Sequence, residues 1–226
     1  MHPQTCDLSS CFLCTHSLPE WKDVIALHKQ TRTYKKGEHI FREGKPVDGL
    51  FFLYSGAVKV HQSWGPDKDL IIRFARMGDV LGYRGGNGTG VYPITATALD
   101  TSVACQITQA FLESTLAVNH SFVYKMMQLY ADALQNAERR MRHLALMEVR
   151  GRVADAVLTI RDTFGVDAEG YVNTPITRQD IASYAGTTYE TVFRLFTEWA
   201  AQGFLDTSGK YLRITDAGAL RAIIPH

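Results

Sequence analysis

The sequence of 226 residues predicts an α+β chain, with an antiparallel β-roll first, a long helix after it, and a compact helical unit with a β-hairpin at the C-terminus. Three observations carry that prediction. Between Thr33 and Thr108, short apolar runs alternate with glycine. From Val118 to Phe164 there is no proline, and apolar side chains recur in helical rhythm. Beyond Thr177, two short amphipathic segments flank a glycine turn and lead into a Ser-Gly hairpin.

The roll is written in His39-Ile-Phe, Gly49-Leu-Phe-Phe-Leu-Tyr, Gly56-Ala-Val-Lys-Val, Leu70-Ile-Ile-Arg-Phe and Ser102-Val-Ala-Cys-Gln-Ile. These runs are too short and too often interrupted for helices. The glycines at 37, 44, 49, 56, 78 and 82 suit turn positions that need positive φ.

In the long helix, Val123, Met127, Tyr130, Leu134, Ala137, Met141 and Leu144 alternate spacings of four and three. That is the seam of a helix pairing with another helix, here a dimerisation helix. The same stripe also suits a helix packed on its own domain, and the residues beside it, Arg139, Arg140 and Arg142, fit either arrangement. Gly151 marks a break, with a hinge between Glu148 and Gly151 and a second helix from Arg152 to Phe164 that Gly165 ends. Val166 to Thr174 reads as a polar turn.

Thr177-Arg-Gln-Asp180 has the spacing of a capping box that opens a helix running to Tyr184. Ala185-Gly-Thr-Thr188 then turns the chain, and Thr188 caps a second helix extending to about Gln202. Two helices so joined form a helix-turn-helix, and Gly203 to Ile214, read as two strands about a turn, supplies a wing. On the second helix Val192, Leu195, Phe196 and Trp199 form the inward stripe. Glu190 and Arg194 share an exposed face near its N-terminus, where a recognition helix meets base edges. Arginine bonds O6 and N7 of guanine, and glutamate accepts from cytosine N4, although the same pair suits a surface salt bridge. Thr177, Arg178, Thr187, Thr188, Tyr189 and Lys210 are the candidate phosphate contacts, each also readable as a cap or a solvated side chain.

Charge adds little, since the formal net charge of +1 gives no broad attraction to nucleic acid and leaves DNA contact to local basic side chains. No stretch nears the ~20 apolar residues of a membrane span, and Met1 to Cys14 lacks the features of a signal peptide. The expectation is a soluble, cytoplasmic protein without a membrane partner, in which cysteines stay reduced. Cys6, Cys11 and Cys14 sit together in what reads as a flexible N-terminal tail, and Cys105 lies in a strand. Thiolates ligate iron-sulfur clusters and structural zinc, and a buried thiol without metal is the third reading. His2, His16, His28, His39, His61, His120 and His143 are scattered without metal-ligand spacing, so no catalytic constellation stands out and the chain is not read as an enzyme. A metalloenzyme built on the roll remains the most distant alternative.

The segment Ile176 to Tyr211, ITRQDIASYAGTTYETVFRLFTEWAAQGFLDTSGKY, resembles the DNA-binding motif of the CRP/FNR transcription regulators. The likeness continues through Gly37-Glu-His-Ile-Phe-Arg-Glu-Gly44, Leu53-Tyr-Ser-Gly56-Ala-Val-Lys-Val60 and Gly78-Asp-Val-Leu-Gly82, in the order of that family's cyclic-nucleotide-binding-like jelly roll. It implies a winged helix-turn-helix, a homodimer, a near-palindromic double-stranded DNA site with half-sites ~34 Å apart, and RNA polymerase as a partner. In the family a glutamate and an arginine four apart read the half-site, which here are Glu190 and Arg194. Phe193 departs from the serine or glycine usual between them, so a TTGA-like half-site is expected only in part, with Phe193 meeting a thymine methyl.

Cyclic-AMP-binding members carry Gly-Glu-Leu and an Arg-Ser pair. This sequence has Gly82-Tyr83-Arg84 and Tyr92-Pro93-Ile94 instead, so no cyclic AMP is expected. Three clustered cysteines and one distant resemble the oxygen-responsive FNR branch, which implies a [4Fe-4S] cluster on Cys6, Cys11, Cys14 and Cys105. The intervening residues number four then two here, against two then five in that branch, which leaves open the cluster type, zinc, a haem or a small-molecule effector. The implied domains are a cysteine-bearing segment over residues 1–17, the sensory roll over 18–117, the dimerisation helix over 118–148 and the winged helix over 149–226.

Overall fold

The computed structural model describes residues 11–65, 68–86 and 88–224. Its order is α1 (Phe12–His16), a 3-10 turn at Pro19–Trp21, α2 (Lys22–His28), then strands β1 (Gln30–Tyr34), β2 (His39–Phe41), β3 (Leu50–Ser55), β4 (Val58–Ser63), β5 (Asp69–Ala75) and β6 (Val80–Leu81). A second 3-10 turn at Tyr83–Gly86 leads to β7 (Thr95–Ala98) and β8 (Ser102–Ile107). Helices α3 (Gln109–Val118), α4 (His120–Leu146), α5 (Val149–Phe164), α6 (Arg178–Ala185) and α7 (Tyr189–Ala201) follow, and β9 (Leu205–Ser208), β10 (Tyr211–Ile214) and α8 (Ala217–Ala222) complete the chain.

The roll is two four-stranded sheets, ordered β1-β8-β3-β6 and β2-β7-β4-β5. Phe41 of one sheet stacks on Phe51 of the other at 5.6 Å, and on Tyr92 at 4.3 Å. All six glycines singled out in the sequence have positive φ. Gly49 shows why, because a Cβ there would collide with the Ile107 carbonyl, which lets β3 lie against the end of β8.

The chain divides into two compact units. The described residues up to Val60 join Ala75–Gln135 in the first, and His61–Phe74 join those from Asn136 onward in the second. In the first unit, α1, α2, α3 and the start of α4 close over the sheet holding β8. The core there includes Leu13, Ile25, Leu50, Phe52, Ile107, Phe111, Phe122 and Met126. Trp21 Nε1 donates to the Thr115 hydroxyl at 3.1 Å, and the Leu18 amide to the Asn119 side chain at 2.7 Å, tying the N-terminal turns to α3.

Several sequence expectations change. The N-terminal cysteine segment is not a flexible tail in its described part, since residues 12–16 form α1 and its Leu13 and Cys14 side chains are buried, with Phe12 half-buried beside them. The long helix begins at His120 and not at Val118, which ends a separate helix, α3, whose start the Thr108 hydroxyl caps by accepting from the Phe111 amide at 3.2 Å. The stretch from Val166 to Thr174 is more than a turn, because Val166 pairs with Val172 and Tyr171 bridges to Arg213. The break falls just ahead of the expected glycine, with Glu148 as the N-cap of α5, which starts at Val149 and not at Arg152. Gly151 lies buried inside that helix, where a Cβ would press on the Met147 side chain at 3.0 Å, and Gly165, at φ 69°, ends it as expected.

Candidate nucleic-acid interface and cysteine cluster

The helix-turn-helix lies within the second unit. The Thr177 hydroxyl accepts from the Asp180 amide at 3.0 Å while Asp180 accepts from the Thr177 amide at 3.2 Å, so the capping box is complete. Gly186, at φ 62°, makes the left-handed step between α6 and α7. A Cβ on it would approach Leu144 Cδ2 to 2.8 Å, so glycine also lets α4 come close to the turn. Thr188 caps α7 by accepting from the Thr191 amide at 3.3 Å.

Val192, Leu195, Phe196 and Trp199 are buried, which rotates the opposite side of α7 outward. Glu190 and Arg194 are exposed there, and no ion pair joins them. Hydrogen bonds from its own backbone amide and then from the Thr188 hydroxyl hold the Glu190 carboxyl below the usual carboxylate range, so it stands as an acceptor at neutral pH. Phe193 is 49% exposed between them. Of the candidate phosphate contacts, Thr187 is half-buried in the turn, Tyr189 opens α7, and Lys210 is exposed where β9 turns into β10. The Thr177 and Thr188 hydroxyls are engaged as caps, and the Arg178 guanidinium stands 5.5 Å over the Phe193 ring and 5.8 Å over Phe196.

Helix α4 carries two stripes. Phe122 and Met126, with Leu129 and Ala133 behind them, pack into the core of the first unit. The neighbouring seam is exposed at Met127 (64%), Leu134 (62%) and Met141 (66%) and also at Ala137, with Val123 and Leu144 half-buried. Tyr130, on the same seam, donates to the Tyr83 carbonyl at 2.7 Å.

Cys11, Cys14 and Cys105 are all buried in the same apolar cluster of the first unit. Cys105 is paired across the sheet with Thr31 of β1 and Phe52 of β3, so the three side chains form one row, and the Thr31 hydroxyl lies 3.6 Å from the sulfur. Cys6 lies outside the described residues. Among the described residues no three His, Cys, Asp or Glu side chains form a group that holds a metal ion, and no helix is long and apolar enough to cross a membrane.

Residues 31–119 match the cyclic nucleotide-binding domain family, and residues 151–223 match the Crp-like helix-turn-helix domain family. The sequence is 28% identical over 228 residues to the transcriptional activator protein FnrA of Stutzerimonas stutzeri, covering 98% of this chain and 92% of the relative. It is 27% identical over 233 residues to the fumarate and nitrate reduction regulatory protein of Escherichia coli K12, covering 100% and 91%. The fold matches the structure of FixK2 from Bradyrhizobium japonicum with a TM-score of 0.78 at 24% identity, over 88% of this chain and 98% of that one. The chain belongs to the CRP/FNR family.

As a CRP/FNR protein it is a DNA-binding transcription regulator and not an enzyme, of a family whose members typically act as homodimers. Sequence reading missed the contacts that hold the reading head of this CRP/FNR chain. The Arg140 guanidinium donates to the Tyr184 carbonyl at 2.6 Å and lies 3.7 Å over the Tyr184 ring. Arg152 Nε donates to the Ala185 carbonyl at 2.8 Å, and its Nη atoms reach the Met147 and Gly186 carbonyls at 2.8 and 3.3 Å. Arg150 pairs with Glu198 at 2.8 Å. Helices α4 and α5 thus grip α6, α7 and the turn through three arginines. The one available signal was the density of arginine around the hinge, which spacing alone does not assign to partners.

Proposed function

We propose that this chain is a homodimeric regulator that reads a near-palindromic DNA site through Glu190, Phe193 and Arg194, and responds to oxygen, nitric oxide or redox state through a [4Fe-4S] cluster on Cys6, Cys11, Cys14 and Cys105. The observation that carries the sensory part is the gathering of Cys105, distant in sequence, with Cys11 and Cys14 inside one apolar cluster. The donor set fits in chemistry, since thiolates enclosed by apolar side chains are what such a cluster takes. The three described thiols and their apolar enclosure support the cluster, without a preformed metal cage among the described residues. When bound, the cluster supplies a centre that oxygen and nitric oxide attack.

The route from sensor to DNA follows from shared packing. Cys11, Cys14 and Cys105 belong to the same core as Phe122 and Met126, the inner stripe of α4. A change in how the three thiols are held shifts α1 and β8 against that stripe, and with it the adjacent seam formed by Val123, Met127, Tyr130, Leu134, Ala137, Met141 and Leu144. The seam carries no ionisable carboxylate or ammonium to drive two helices apart, so the response acts on helix orientation. Arg140 and Arg152 pass it to the α6–α7 turn.

Thr177, Arg178, Thr187, Thr188, Tyr189 and Lys210 would position the protein on the phosphates. A regulator of this kind works in the cytoplasm with RNA polymerase. Cyclic AMP is not the proposed effector. Gly82-Tyr83-Arg84 enters a 3-10 turn whose Tyr83 ring is buried at 5.4 Å from the Tyr130 ring, and Arg84 faces solvent.

Anaerobic purification followed by an absorption spectrum and iron and sulfide analysis, repeated after air exposure, tests the sensor. The expected result is a broad violet-blue band with matched iron and sulfide that bleaches in air. Colourless, iron-free protein that still binds a palindromic site would remove the cluster and keep the regulator, and a Soret band would replace it with haem.

A further inference from the structure

We propose that Phe193 and Arg178 together form a reader of the thymine 5-methyl group on the exposed face of α7. This deepens, and rests on, the reading of α7 as the helix that meets base edges. Phe193 follows Glu190 by three residues and precedes Arg194, so its ring emerges on the face that carries the two polar readers. It is 49% exposed, yet it is bracketed. The Tyr189 ring stacks on it at 6.3 Å and 23°, and the Arg178 guanidinium stands over it at 5.5 Å.

Arg178 is tied to a fixed point as well, because it also lies 5.8 Å over Phe196, which is 4% exposed in the core. Its Nε is buried and has no hydrogen-bond partner, so this part of the side chain is committed to the rings. The planar guanidinium therefore links an immobile ring to an exposed one. A ring ordered in advance loses less freedom on contact.

A phenyl group offers no hydrogen bond, and in the major groove the base edges present donors and acceptors except at one place, the 5-methyl of thymine. Against cytosine the ring would meet the N4 donor and leave it unpaired, whereas against thymine it covers an apolar group. Phe193 thus adds a steric and apolar preference between the two polar readers. Arg178 acts through it as a positioning residue.

The test uses full-length, anaerobically purified protein and a duplex recovered by it from a random library. Each thymine is replaced singly by deoxyuridine, which removes the methyl and nothing else, and binding is followed by fluorescence anisotropy. At one thymine per half-site the replacement is expected to weaken binding about fourfold, the loss for withdrawing one buried methyl group. Phe193→Ser should bind with a thymine-to-uridine ratio near one, and Arg178→Met, which keeps bulk without the planar cation, should shrink the ratio while the fold stays intact by circular dichroism. A wild-type protein that binds the duplex with no thymine preferred over uridine would overturn the methyl reader and leave α7 as the DNA-reading helix. An unchanged ratio in Phe193→Ser would do the same, and an unchanged ratio in Arg178→Met would remove the positioning role. Failure to recover any sequence-specific duplex would overturn the DNA reading itself, and this inference with it.

Discussion

Arg194 and Glu190 owe their exposure to residues they never touch. Trp199 and Val192 are fully buried on the opposite side of α7, and the rotation they impose leaves the two polar side chains in solvent. Arg194→Ala is therefore expected to fold normally and to lose roughly ten- to hundredfold in specific affinity per half-site, with little change on random DNA. A competition titration against random duplex measures this, and equal losses on both DNAs would make Arg194 a phosphate contact instead. Trp199→Ala should cost about 3–5 kcal/mol in a urea titration, because it empties the centre of the small core on which α7 rests. At this scale the sequence was informative where a side chain repeats with helical period, as Val192, Leu195 and Trp199 do. It did not show the partners of Arg140, Arg152 and Arg178, which are carbonyls and rings brought to them by the fold.

Among the elements, α4 separates two roles by a small rotation around its axis. Phe122 and Met126 face inward, and Met127, Leu134 and Met141, on the adjoining stripe, face out. Leu134→Glu places a charge at the centre of the exposed seam, where its cost falls on association and not on folding. The expected outcome is a monomer by analytical ultracentrifugation with an unchanged unfolding midpoint at low concentration; a dimer of wild-type affinity would move the interface elsewhere. The seam was legible because its spacing is strict. The inner stripe beside it was not, so pairing and own-core packing stood as rival readings, although the helix has a core stripe and a separate exposed seam made of different residues. Short elements hid for a different reason. Strand β1 is Gln-Thr-Arg-Thr-Tyr and β7 is Thr-Ala-Thr-Ala, polar or small sequences whose place in the sheet is set by their neighbours β8 and β4. Helix α1 has only five residues, too few to show a period, and it takes its stability from burying Leu13 and Cys14.

At the largest scale, the proposed signal runs from the cysteine core to the DNA-reading helix through α4. Cys11, Cys14 and Cys105 share one core with the inner stripe of α4, a helix that runs unbroken to Leu146, and Arg140 on that helix and Arg152 on α5 hold the turn that leads into α7. The overall architecture was legible because each of its parts carries its own signal: glycine-punctuated strands, a proline-free helical stretch, a capped helix pair and a hairpin. The packing of Cys11 and Cys14 beside α4 was not, since it joins segments far apart in sequence through apolar contacts that no local pattern encodes. The most direct test is to titrate the anaerobically purified protein against the duplex it selects from a random library, before and after brief air exposure, with iron counted in the same samples. The expected result is tight, sequence-specific binding that falls roughly tenfold or more in step with iron loss. Equal affinity in both samples, with iron present in the first and gone from the second, would contradict it.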